Sequence, residues 1–184
     1  MPYAVKFYDR KELLEFALTK VSMPGIFAEF GVFQGESINF IAEKLNDGTT
    51  VFGFDSFEGL KEDWRGAYLT KGAFSLGGQL PRVRGNVELI TGWFDATVPQ
   101  FLGKHQGPFA FIHVDCDTYE ATQTLFSTVE ESVLSGTVIV FGEYFGFTGW
   151  RVGESKAWQE FVTRRGIRYE YIGFANVRVA VRVL

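Results

Sequence analysis

The sequence predicts an α/β fold: one mostly parallel sheet with helices on both faces, closed by an antiparallel hairpin. Three observations predict it. Strand-length apolar runs alternate with segments of helical period until the last two strands, which have no helix between them. Runs as uniformly apolar as FAFI and VIVF suit parallel strands covered on both sides. The 184 residues, 46% hydrophobic and 22% charged, have an ordinary globular composition. A chain of that length can bury about 70% of its unfolded surface in a single core.

Taken in order, DRKELLEFALTKV places Leu13, Leu14, Ala17, Leu18 and Val21 on one helical face, and Pro24 and Gly25 stop it. Residues 1–24 thus form an N-terminal helical segment. GIFAEFG is the first core strand. In the helix ESINFIAEKL, Ile38, Ile41 and Leu45 face the sheet, and Asn46, Asp47 and Gly48 supply the turn that ends it. TTVFGFD is the second strand. Residues 58–84 then show no clean period and carry Gly59, Gly66, Gly72, Gly77 and Gly78. Such a length without regular structure is uncommon unless the loop works, so a lid or insert is expected there.

NVELITG and FAFIHVD are the third and fourth strands. The helix YEATQTLFSTVEESV turns Leu125, Phe126, Val129 and Val133 inward. GTVIVFGEY is the fifth strand, ESKAWQEFVTRRG the last helix, and YEYIGF with VRVAVRVL the hairpin. With no repeat or linker, residues 1–184 are expected to form a single domain.

Charge and composition exclude several function classes. The formal charge is −4 and no basic run occurs, which argues against nucleic acid or an anionic membrane as partner. Cys116 is the only cysteine, so no intrachain disulfide forms. Asp9, Arg10, Lys11 and Glu12 stand where a signal peptide needs an apolar run, and no segment has the apolar length of a membrane span. A cytoplasmic protein is expected. The 20 Phe suggest a thick core or an aromatic-lined pocket, with core filling the use of most of them.

Ligands of parallel sheets bind outside the carboxyl ends of the strands. The first strand ends at Glu29-Phe30-Gly31 and enters its helix through Gly35, Glu36 and Ser37. A dinucleotide fingerprint needs G-x-G-x-x-G, and a P-loop needs four residues between its glycines and a Lys after the second. Neither fits Gly31 and Gly35, which three residues separate. Glu29 and Glu36 would repel a pyrophosphate and suit a ligand carrying positive charge. Asp55, at the tip of the second strand and 20 residues after Gly35, is placed to chelate ribose hydroxyls or to be a solvated turn residue. After the third strand, Trp93 and Phe94 can stack on a purine or cover the sheet edge. The fourth strand ends in HVDCDTYE, where Asp117 or Thr118 is a natural N-cap and Asp115 is left without that explanation. Asp115 and Glu143, at adjacent strand ends, can hold a hard cation such as Mg²⁺ or contact an ammonium or sulfonium directly. His113 lies two residues before Asp115 and faces the same way, as a general base or a hydrogen-bonded core histidine.

The motifs AEFGVFQGESI, VFGFDSFEGL, KGAFSLGGQLP, VELITGWFDATVP, HVDCDTYEAT and GTVIVFGEYFGFTGWRVGESKAWQEF together resemble the class I S-adenosylmethionine-dependent methyltransferases. More narrowly, they resemble the macrocin O-methyltransferase family of the TylF and MycF type, over nearly the whole chain. The resemblance implies a Rossmann-like fold, S-adenosylmethionine as methyl donor and Mg²⁺-assisted methylation of a sugar hydroxyl. It places Glu29, Gly31, Gly35 and Ser37 at the methionine end of the donor and Asp55 on the ribose. Ser56, Phe57, Trp93 and Phe94 would surround the adenine, and Asp115 would stand beside the sulfonium and the metal. Asp115 and Glu143 would be the metal ligands, and Asp115, His113 and Glu143 the catalytic groups. Where relatives carry two adjacent acids after the fifth strand, this chain has Gly142-Glu143. The expected partner is a small hydroxylated acceptor, with homo-oligomerisation open. The competing readings are a non-catalytic or regulatory S-adenosylmethionine-binding protein with a degenerate metal site, and a nicotinamide-dependent oxidoreductase that the glycine spacing disfavours.

Overall fold

The computed structural model describes residues 3–46, 48–64 and 67–184. Asp47 and Gly66, expected in turns and loop, lie outside the described residues. Eight strands form one sheet in the order β1-β7-β8-β6-β5-β2-β3-β4. The central strands β2 (Ile26–Phe30), β3 (Val51–Asp55), β4 (Val87–Thr91), β5 (Phe109–Val114) and β6 (Val138–Phe141) run parallel. β7 (Tyr169–Ala175) and β8 (Arg178–Val183) form the expected antiparallel hairpin, and β8 pairs antiparallel with β6. The architecture is thus the mostly parallel α/β sandwich with a closing antiparallel hairpin that the alternation of strands and helices predicted.

The two faces of the sheet carry separate cores. Helices α1 (Arg10–Thr19) and α2 (Glu36–Lys44) cover one face, with Leu13, Leu14, Ile38 and Ile41 packed on Phe111, Val138 and Val140. Helices α3 (Phe94–Leu102), α4 (Tyr119–Thr128) and α5 (Glu154–Arg165) cover the other, where Phe101, Leu125, Phe126, Trp158 and Phe161 meet Phe30, Ile112 and Phe141. Strand alternation divides the residues: Ile112 and Val114 face α3–α5, whereas Phe111 faces α1 and α2. Phe30, Phe54, Phe109, Phe111, Phe126, Phe141 and Phe161 are completely or almost completely buried, so core filling is the main use of phenylalanine. Each such ring contributes about 1.5–3 kcal/mol by leaving water.

Two elements have no counterpart in the sequence reading. β1 (Val5–Lys6) is two residues long and pairs with β7 at the sheet's edge. Helix α3 begins at Phe94, directly after the β4 turn, and holds Pro99 in its interior. An interior proline removes one i→i−4 bond and normally argues against a helix. Here Val98 and Phe101, both buried, pin the segment to the core. α1 also ends earlier than expected, at Thr19 with Lys20 as C-cap, rather than at Pro24.

Candidate active site

The carboxyl ends of β2, β3, β4, β5 and β6 surround a cleft of ≈ 650 Å³. This size lies within the range of clefts that enclose small-molecule ligands, about 300–1,000 Å³. Of the residues singled out in the sequence, Gly31, Ser37, Asp55, Ser56, Trp93, Phe94, Asp115 and Glu143 line it. Glu29, Gly35, Phe57 and His113 stand behind the wall.

The glycine turn is shaped by the chain itself. Gly31 has φ 92°, and a Cβ there would fall on the carbonyl oxygen of Asp115. This glycine therefore permits the close approach of β2's end to β5's tail, an internal need the sequence reading had assigned to a ligand. Gly35, φ 81°, is the N-cap of α2. Asp55 holds the turn: its Oδ2 accepts the N–H groups of Val32 and Phe33, each at 2.8 Å, and Oδ1 accepts that of Phe57 at 2.7 Å. A carboxylate has about four lone-pair sites, so one remains for a ligand hydroxyl.

Beneath the turn, Glu29 and His113 are register partners on β2 and β5, and neither has any exposed surface. His113 Nδ1 lies 2.8 Å from Glu29 Oε2, and the Ser37 hydroxyl donates to Glu29 Oε1 at 3.1 Å. Burial raises the Glu29 pKa, opposed by its hydrogen bond from His113. Burial alone would lower His113, but the charge of Asp115 and the bond to Glu29 outweigh it and raise its pKa. The pair thus keeps a proton between its two members. Because His113 reaches neither solvent nor cleft, the expectation that it serves as general base is corrected: it is the partner of a buried carboxylate.

Asp115 and Glu143 do reach the cleft. Asp115 receives Arg10 Nη1 at 3.5 Å, and Arg10 also reaches Glu36 at 3.2 Å. A Cβ at Gly142 would fall on Asp115 Oδ1, so a side chain there would require the Asp115 carboxylate to turn aside. Glu143 is raised from 4.5 to about 7, chiefly by burial and by the charge of Asp115, with Arg178 opposing. Its Oε2 is buried and, among the described residues, has no hydrogen-bond partner. Its backbone N–H donates to Glu154 Oε2 at 2.9 Å. Glu154 itself is fully buried, and burial with the charge of Glu143 holds its pKa well above the usual range.

Sequence reasoning missed Arg10, Asp117, Glu154 and Arg178. Thr118, not Asp117, caps α4, accepting from the Ala121 N–H at 3.2 Å. Asp117 adopts φ 67° and lines the cleft, and burial together with Glu143 and Asp115 pushes its pKa well above normal. Its position two residues after Asp115 was the available signal. The arginines give no such signal, because they enter from α1 and β8, far along the chain.

The insert forms the roof. Gly59, Leu60, Lys61, Glu62, Trp64 and Phe74 line the cleft. Lys61 pairs with Asp95 at 3.8 Å, the Thr118 hydroxyl donates to Glu62, and Trp64 meets Phe147 edge-on with ring centroids 6.2 Å apart.

These residues do not make a cage for Mg²⁺. Among the described residues no three His, Cys, Asp or Glu side chains are arranged to hold a metal ion. The position beside Asp115 is taken by the Arg10 guanidinium, and Asp115 itself fills the space of a second acid at 142. The structure therefore lends no support to the expected Asp115–Glu143 metal site. A cationic organic ligand does fit, because it would meet Asp115 and Glu143 in a cleft flanked by Trp93 and Phe94.

The fold is shared with solved methyltransferases. The calicheamicin methyltransferase CalS11 superposes with TM-score 0.76 at 20% identity, covering 94% of this chain and 77% of its own. The O-methyltransferase NovP gives 0.72 at 21% identity, with 94% and 78% covered. An O-methyltransferase from Bacillus cereus in complex with SAH gives 0.66 at 15% identity, with 95% and 79% covered. No curated protein matches the sequence. Residues 28–144, most of the chain and all of the cleft's lining residues except Arg10 and Arg178, match the family described as "Methyltransferase domain". The chain belongs to this methyltransferase domain family.

Proposed function

We propose that the protein is an S-adenosylmethionine-dependent O-methyltransferase of the macrocin type, acting on a hydroxyl of a small molecule, a sugar unit of a glycosylated metabolite. The observation that carries this reading is the acid-rich cleft at the strand ends, with Asp115 and Glu143 among its lining residues. The likeness to CalS11, elsewhere described as a TDP-rhamnose 3'-O-methyltransferase, supports a sugar acceptor.

Bound S-adenosylmethionine supplies an electrophilic methyl group on a positively charged sulfur. The chain's own residues bind, orient and handle the proton. Trp93 and Phe94 offer aromatic surface for a purine, and the free lone pair of Asp55 a contact for a ribose hydroxyl. Asp115, kept beside Arg10, contributes negative charge to the reacting end. Glu143 takes the proton that the acceptor hydroxyl loses. Its pKa of about 7 suits this role, since a general base works best with a pKa near the operating pH. No metal is needed for that step. The roof of insert residues excludes water, and holding donor and acceptor in line supplies much of the rate.

The test is calorimetry with S-adenosylmethionine, followed by mass spectrometry for methyl transfer to glycosides in the presence of EDTA. Saturable binding and metal-independent transfer are expected. Absence of donor binding would refute the reading, and restoration of activity only by added Mg²⁺ would return proton removal to a metal. Binding without transfer to any acceptor would favour the regulatory alternative.

A further inference from the structure

Glu154 is a buried acid that the reaction outlined above does not use. It opens α5, has no exposed surface and does not line the cleft. Its surroundings oppose it. Burial, then the charge of Glu143, hold its pKa well above the usual range, and the charges of Asp115 and Asp117 add to the shift. A carboxyl in such a place costs stability unless the hydrogen bonds it accepts offset the loss of water.

Those bonds are specific. Oε2 accepts the N–H of Glu143 at 2.9 Å, and Oε1 accepts that of Asp117 at 3.3 Å. The two amides belong to separate loops, one after β6 and the other after β5, and both residues line the cleft. The strands end before them, β5 at Val114 and β6 at Phe141, and a bond of 2.7 Å from the Gly142 N–H to the Val114 carbonyl continues their pairing. Beyond that bond Glu154 joins the two loops with one side chain. Asp117 adopts φ 67°, a conformation uncommon for a residue with a side chain, and from there its carboxyl hydrogen-bonds to Glu143. The two oxygens of a carboxylate lie in one plane at a fixed separation, so amides bonded to both cannot drift independently.

Resting on the methyltransfer reading above, we infer that Glu154 is a positioning residue for Glu143. Anchored at the start of α5, its carboxyl ties the loop of Asp117 to the loop of Glu143. That tie fixes where the Glu143 carboxyl meets the acceptor hydroxyl. A misplacement of about 1 Å can cost about 10²-fold in rate, so the restraint is felt in turnover rather than in donor binding.

The experiment places Glu154→Gln, which keeps the volume and replaces one accepting oxygen by an NH₂ group, in the native protein and in Glu143→Gln. Turnover at saturating S-adenosylmethionine is followed by mass spectrometry with methyl rhamnoside, methyl glucoside and TDP-rhamnose as probes. In the native protein kcat should fall about tenfold or more, while acceptor KM and the calorimetric affinity for S-adenosylhomocysteine stay within about twofold. In Glu143→Gln the same substitution should change kcat by less than about twofold, because the group it positions is gone. Ser155→Ala removes a bond of 2.7 Å from the next residue of α5 to the Trp150 carbonyl, and as the structural control it should leave kcat unchanged. Where Glu154→Gln does not fold, Glu154→Asp, which draws both oxygens back by one methylene, enters the same comparison. An unchanged kcat, an equal loss in both backgrounds, or a matching loss from Ser155→Ala would each overturn the inference and leave methyltransfer standing. Native protein that binds S-adenosylhomocysteine and transfers methyl to none of the three probes would instead count against the sugar-acceptor reading, and this inference falls with it.

Discussion

Two pairs, one of a carboxylate with a histidine and one of two carboxylates, lie a few residues apart at the carboxyl ends of the strands and behave differently. Glu29 and His113 are sealed beneath α1 and α2 and bond to each other through His113 Nδ1, whereas Nε2 has no partner among the described residues. Asp115 and Glu143 stand just past the strand ends, open to the cleft, with one oxygen of Glu143 left without a partner. Along β5, moving from 113 to 115 keeps the facing and changes the depth. That change turns a structural pair into a reactive one: depth, more than residue type, separates packing from chemistry here.

The largest expected effect breaks the open pair. Glu143→Gln should lower turnover by about 10²–10⁴-fold, the usual contribution of a positioned base, while donor affinity measured by calorimetry stays the same. In the native protein the rate should rise with pH through about 7 as Glu143 loses its proton. The sign for stability is opposite. Glu143 is raised from 4.5 to about 7 on folding, so the folded state binds more protons in that window and stability falls as pH increases across it. Glu143→Gln should flatten this slope in urea titrations on either side of the window.

Breaking the closed pair should unfold rather than inactivate. His113→Leu leaves Glu29 buried without its partner, a change that costs about 3–5 kcal/mol when one member of a buried pair is removed. Thermal unfolding checks it. A mutant of native stability with lost turnover would reverse the assignment and return His113 to the chemistry.

Asp55 lies between these extremes, since it holds the glycine turn and also faces the cleft. Asp55→Ala should weaken S-adenosylmethionine at least tenfold, about 1.4 kcal/mol. A folded mutant with unchanged affinity would make Asp55 purely a turn residue. The smallest effect concerns the roof. Tyr68 to Pro81 should gain modest protection from hydrogen exchange when S-adenosylhomocysteine and an acceptor are both present, as expected of a closing loop. Identical exchange in all states would mark it as a fixed wall.

Most of the sheet was legible because apolar runs and helical periods are local signals, and the glycine turn because its spacing is. Helix α3 was not, because Pro99 argues locally for a break that buried Val98 and Phe101 override. The strand-end acids were legible by position. Their partners were not: Arg10 meets Asp115 across more than a hundred residues, and no pattern within a window records such a meeting. His113 was placed on the correct face, but alternation gives direction without saying how thick a layer lies above.

The origin of the cleft's arginines has a practical consequence for where this molecule can be cut. The family match spans residues 28–144. That segment supplies Asp55, Asp115 and Glu143, whereas Arg10 comes from the helix before it and Arg178 from the strand after it. A module trimmed to those boundaries would keep every acid that lines the cleft and lose both guanidinium groups among its lining residues. Family-matched segment and working enzyme are therefore different lengths of chain: the matched segment carries the cleft's negative field, and what flanks it sets how much of that field a ligand experiences.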